Sequence, residues 1–139
     1  MRWLAAPTRR IALTLLGIGL VGTALLAARA PGDCWPGGIC GTVDNESATA
    51  LDVTWSWCTA EQGPCGATVG RLGPGASTHD WRNRRGGRRD IDGYLVARGC
   101  AAMVAREVWH SVGSPRPEGP GWHKLRTDEV VHVRSMTCG

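Results

Sequence analysis

The densest chemistry in the sequence is WRNRRGGRRD, residues 81–90. Five arginines, Arg82, Arg84, Arg85, Arg88 and Arg89, and one tryptophan, Trp81, flank a Gly-Gly pair. Guanidinium groups grip phosphates and carboxylates through paired hydrogen bonds. An indole beside them can stack on a base or a sugar. The segment therefore admits an anion-binding loop, a solvated hairpin loop, or an exposed protease-binding loop of the kind small secreted inhibitors use. Buried arginines would each need a partner.

Other chemistries find less footing. His79, His110, His123 and His132 have neither HxH nor HxxxH spacing, and no CxxC pair occurs, so no metal site is expected. The one lysine, Lys124, precedes Leu125, which rules out a phosphate-cradling Gly-Lys-Ser/Thr loop. There is no G-x-S-x-G. On strands, His79 and Asp80 would point to opposite faces, as would His110 and Ser111. No cofactor is expected and no motif supports an enzyme. A pocket holding His79 or His110 beside a carboxylate would reopen that question.

Charge separates the chain into two parts. It has 16 Lys+Arg and 12 Asp+Glu. Four of the arginines, Arg2, Arg9, Arg10 and Arg29, lie in residues 1–30, where there is no acid. Subtracting them from the 16 leaves 12 basic against 12 acidic residues over 31–139. A nucleic-acid partner normally needs a basic domain, so none is expected. The abundance of Arg and Gly beside a single Lys and no Phe also fits a GC-rich coding bias.

Residues 11–28 carry no charge and follow a basic start. That is the layout of an export signal, with the N-terminus inside. Ala28-Arg29-Ala30 fits a cleavage site, yet Pro31 would follow the cut, and the apolar run exceeds the usual signal core of about 7–15 residues. Residues 1–30 are expected as a signal peptide or an uncleaved signal-anchor helix. A lipid anchor is not expected, because Asp33 precedes Cys34. Thr8-Arg9-Arg10 gives only a hint of a twin-arginine signal. The protein would be secreted if cut near Ala30, or held in the cell membrane by one span with residues 31–139 outside.

All six cysteines lie beyond that segment, as in a disulfide-stapled exported domain. CWPGGIC closes a tight loop through Cys34 and Cys40. Strands leading into and out of residues 59–64 would bring Cys58 and Cys65 within bridging distance. Cys100 and Cys138 then remain as the third pair.

These residues need a scaffold, and the sequence points to a mainly β one. Leu51, Val53, Trp55 and Trp57 alternate with polar neighbours over 51–58, giving an inward face and a polar face. That spacing of tryptophans could also line a carbohydrate-binding face, although the core is the plainer use for them. Further strands are expected over 67–72, 77–82, 91–98 and 129–139, with Tyr94, Val96, Val131 and Val133 inward. Residues 100–112 suit helix or strand, and their strand-like surroundings favour strand. Residues 113–122, with three prolines and three glycines, are expected as a loop. Short strands at regular spacing argue for a small antiparallel β-sandwich or barrel stapled by disulfides, preceded by the N-terminal hydrophobic helix.

The order NES, VTWSWC, LGPGAS, GYLVARGC across about residues 43–100 resembles small exported, disulfide-containing β-proteins of high-GC Gram-positive bacteria. The resemblance implies a fold and a compartment and carries over no functional residue. The expectation for function is a non-enzymatic extracytoplasmic module with a binding or structural role at the cell surface. Its alternatives are contact with an extracellular polyanion, a lipid headgroup or wall polymer, through residues 82–89, and protease inhibition.

Overall fold

A computed structural model of the chain describes residues 32–59, 62–66 and 68–139. The apolar segment 11–28 and the cut expected near Ala30 lie outside the described residues. Among the described residues no helix is long and apolar enough to cross a membrane.

Among the described residues nine strands form two sheets. In chain order they are β1 (Thr42–Asn45), β2 (Leu51–Thr54), β3 (Val69–Leu72), β4 (Gly93–Val96), β5 (Cys100–Val108), β6 (Ser111–Val112), β7 (Arg116–Glu118), β8 (Gly121–Lys124) and β9 (Glu129–Cys138). One sheet runs β1-β9-β5, with β6 and β7 both on the far edge of β5. The other runs β3-β2-β4-β8. Val43, Val104, Val131 and Val133 from the first sheet join Leu51, Val53, Tyr94 and Val96 from the second in one core, each at most 2 % exposed. Alternation along β4 and β9 puts Tyr94, Val96, Val131 and Val133 inward, as their spacing requires.

The six cysteines pair as Cys34–Cys40, Cys58–Cys65 and Cys100–Cys138, with Cα–Cα distances of 4.8, 5.2 and 4.0 Å.

Four expectations need correction. The pairing is not wholly antiparallel, since β1 runs parallel to β9 in the register Thr42↔Val130 to Asn45↔Val133. Parallel neighbours need a long connection, and nearly the whole domain supplies it. Residues 77–82 do not form a strand. Ser77 caps a 3-10 turn over Thr78–Asp80, its hydroxyl accepting the His79 N–H, as N-cap serines do.

Residues 113–122 contain β7 and the start of β8 rather than loop alone. Pro117 sits opposite Met103, on a strand that pairs, among the described residues, with β5 alone. An edge strand tolerates the missing N–H. Finally, the strand expected over 51–58 stops at Thr54. Trp55 and Trp57 are half-buried beyond it. The Trp57 ring covers Gly93, where an added Cβ would meet it at 2.5 Å.

Candidate functional site

The arginine segment is an ordered hairpin. Arg82 pairs with Arg88 across it. At its tip the Asn83 side-chain oxygen accepts N–H bonds from Arg85 (2.9 Å) and Gly87 (3.0 Å). Its amide nitrogen donates to Asp33 at 2.8 Å. Gly86 takes φ 80°, which suits glycine. Trp81 packs edge-on against Trp55, ring centroids 6.3 Å apart.

The guanidinium groups diverge. Arg89 lies 4.1 Å over the Trp55 ring and donates to the Arg82 carbonyl. Arg82 donates to the His79 carbonyl at 3.1 Å. Arg85 reaches Asp33 at 3.5 Å, and Arg84 is exposed. Arg88 alone of these five lines a cleft beside the hairpin, donating to Thr42 Oγ1 (3.3 Å) and approaching His79 Nδ1 to 2.9 Å.

That cleft has a volume of about 770 Å³. Its floor is the outer face of β1-β9-β5. Asp44 stands opposite His132, and His132 opposite Ala105, so Asp44, His132 and Glu107 share one face. His132 is mostly buried, with Nε2 3.1 Å from Glu107 and Nδ1 3.2 Å from Glu46 and 3.4 Å from Asp44. The Nδ1 contacts lack hydrogen-bond alignment, so Nδ1, like Arg88 Nε, is buried without a hydrogen-bond partner. The Asp44 and Glu46 carboxylates still lie within ion-pair distance of His132 Nδ1.

The walls come from loops. Ile39 projects from the loop closed by Cys34 and Cys40, and Ser77 and His79 from the 3-10 turn. Trp109 and His110 project from the two-residue turn between β5 and β6. Both turn residues have positive φ, 53° and 62°. A turn of this type I′ form normally uses Asn-Gly, and bulky residues there carry strain. Trp109 is nevertheless 77 % exposed.

No family model, curated protein or solved structure matches this chain. Function must be read from geometry.

The Ser77 hydroxyl donates to Asp44 at 2.5 Å, so no imidazole is set to take its proton and no hydrolase triad forms there. His110 Nδ1 does lie 3.7 Å from Glu107 in the cleft. Among the described residues no group of three His, Cys, Asp or Glu side chains is arranged to hold a metal ion. Sequence spacing gave no sign of Asp44, Glu46, Glu107, Asp128 or Trp109 as neighbours. Asp44 and Glu107 lie on β1 and β5, while Glu46, Asp128 and Trp109 lie in connections next to strand ends, so no spacing rule links them.

A second polar cluster joins the two sheets, and sequence reading missed it too. Arg106 on β5 donates to Glu118 (2.9 Å), Glu129 (3.0 Å) and the Tyr94 hydroxyl (3.1 Å). Tyr94 donates to Glu118, and His123 stacks on its ring at 5.3 Å. Burial first, then the hydrogen bond to Glu118, raises the Tyr94 pKa well above its ordinary value. Burial works to lower the Arg106 pKa, but its bonds to Glu118 and Glu129 hold it raised.

The linkage has a definite sign. An unfolded tyrosine ionises near pH 10, while the folded one stays neutral. Stability from Tyr94 is therefore full below about pH 10 and falls as pH rises above it. Tyr94→Phe is expected to cost about 1 kcal/mol at neutral pH and to lose stability less steeply above pH 10. Urea denaturation at stepped pH measures both.

Proposed function

We propose that the domain is a non-enzymatic extracytoplasmic β-sandwich module that binds a ligand in the cleft between the 34–40 loop, the 3-10 turn and the 109–110 turn. One observation carries this reading. A bulky indole is held 77 % exposed, on a turn whose two central residues adopt a conformation they disfavour, lining a cleft of mixed polar and apolar character. Exposed aromatics on rigid turns are typical of recognition sites. The divergence of Arg82, Arg84, Arg85, Arg88 and Arg89 favours the cleft over the arginine hairpin as the binding surface. The three disulfides and the basic-then-apolar start support a place outside the cytoplasm. So does the resemblance to small exported β-proteins.

A fragment library screened by amide and indole NMR on the full chain tests the cleft. Hits are expected to shift the Trp109 indole N–H and the amides of Gly38 and Ser77. Hits that all map elsewhere would overturn the reading. A C-terminal alkaline phosphatase fusion, active only outside the cytoplasm, tests the compartment.

The strain has its own test. His110→Gly is expected to raise the thermal midpoint by a few degrees, because glycine accepts positive φ. An unchanged or lower midpoint would mean the turn is not strained.

A second reading has the His110–Glu107 contact in its favour, an imidazole beside a carboxylate in the cleft. It predicts slow acid–base cleavage of the bound ligand, lost in His110→Gln. Mass spectrometry of ligand recovered unchanged after long incubation would remove it.

A further inference from the structure

We infer that the ligand is an uncharged glycan, stacked on Trp109 and hydrogen-bonded along the cleft floor. This rests on the cleft reading above and names its ligand class.

Charge decides first. The cleft is lined by Asp44, Glu46, Glu107 and Asp128, against Arg88. Two of those acids are already paired outside the lining, Glu46 with Arg134 and Asp128 with Arg126. Four acids against three arginines leave a formal charge near −1 with the histidines neutral. A polyanion would meet carboxylates. A polycation would meet the Arg88 guanidinium and acids that already have partners. Neither sign of ligand gains the unopposed field that steers charged partners.

Hydrogen-bonding capacity decides next. Arg88 and the histidine rings donate, while Asp44, Glu107 and Asp128 accept. These groups have partners within the fold, but their remaining lone pairs and N–H groups face solvent, and a purely apolar ligand would displace that water without replacing its hydrogen bonds. Sugar hydroxyls both donate and accept, so they suit a mixed lining. The remaining need is apolar, since a pyranose has a face of C–H groups. Trp109 offers an indole 77 % exposed, and Ile39 adds a second apolar side chain to the lining of the same cleft. A space of about 770 Å³ falls in the range of ordinary ligand sites, about 300–1,000 Å³, enough for a few sugar units. The cleft is open to solvent, as binding along a longer chain requires.

The test is calorimetric titration of the full chain with defined probes. The neutral ones are hexamers of N-acetylglucosamine, glucose and mannose. Spermidine is the cationic probe and a heparin-derived hexasaccharide the anionic one. At least one neutral hexamer is expected to bind. Trp109→Ala should weaken it about tenfold or more, the loss of one stacking contact. Glu107→Gln, which keeps the shape and removes an accepting oxygen, should weaken it severalfold. Trp109→Ala lies on an exposed turn, and Glu107→Gln is near-isosteric, so failure to fold would not mimic both results.

Three outcomes overturn the inference. They are no heat from any neutral hexamer, binding that ignores Trp109→Ala, and tighter binding of either charged probe. Charged-probe binding lost in Trp109→Ala would leave the cleft reading intact and remove only the glycan. Silence from every probe, together with fragment hits mapping elsewhere, would remove both.

Discussion

Arg106→Met is expected to lower the free energy of unfolding by about 3 kcal/mol. The side chains it would abandon are poorly solvated, Glu129 being 6 % exposed and Glu118 17 %. Arg106 is itself 34 % exposed, so solvent screens part of the interaction, but its removal leaves the buried Glu129 charge unpaired, which costs more than the pair contributed. Here one arginine serves two carboxylates and the Tyr94 hydroxyl. The loss therefore falls on both sheets, through β4, β5, β7 and β9 together. Arg106→Lys keeps the charge but not the fork, and should recover only part of the loss. Urea midpoints at pH 7, followed by tryptophan fluorescence, rank the three proteins. A cost below about 1 kcal/mol would mean that solvent screens the cluster as it does surface pairs. A double variant, Arg106→Met with Glu118→Gln, should be less than additive, because the two side chains share one interaction.

The cluster also marks the limit of what pattern can reveal. Alternation made β4 and the first half of β9 legible, because period-two burial is local and is written in consecutive residues. It says nothing of where outward or edge polar groups meet. Arg106, Glu118 and Glu129 lie on three strands and converge only through register. Asp44 and His132 become neighbours only because β1 runs parallel to β9, a pairing that local rules for hairpins do not anticipate. Prolines misled in the other direction. Pro115, Pro117 and Pro120 read as loop, yet β7 needs no N–H from Pro117 on its single-partner edge. The arginine hairpin was visible as chemistry but not as geometry. Its divergence depends on Trp55, Asp33 and Thr42, which the sequence places far away. The apolar face of 51–58 was read too long, since Trp55 packs at the rim of the core and Trp57 lies over Gly93 outside it.

Removing the Cys100–Cys138 bridge, by alanine at both positions, is expected to cost about 4 kcal/mol. It spans 38 residues of sequence, and the entropy that a cross-link removes from the unfolded chain grows with the loop it closes. The Cys34–Cys40 and Cys58–Cys65 bridges span 6 and 7 residues, and each should cost only about 2 kcal/mol when removed. The long bridge also has a mechanical place. It ties the first residue of β5 to the last of β9, beyond the bulge at Met103 and Val104 where the register shifts. Residues 134–138 of β9 are largely exposed, so little apolar burial holds that end without the bond. Amide exchange in the double variant should therefore accelerate first over 134–138. The amides of Val131 and Val133, and with them the cleft floor at His132, should stay protected until global unfolding. Equal stability losses for all three bridges would sink the loop-entropy explanation. Uniform exchange along β9 would show instead that the strand opens as one unit, and the cleft would then depend on a bond at the far end of the sheet.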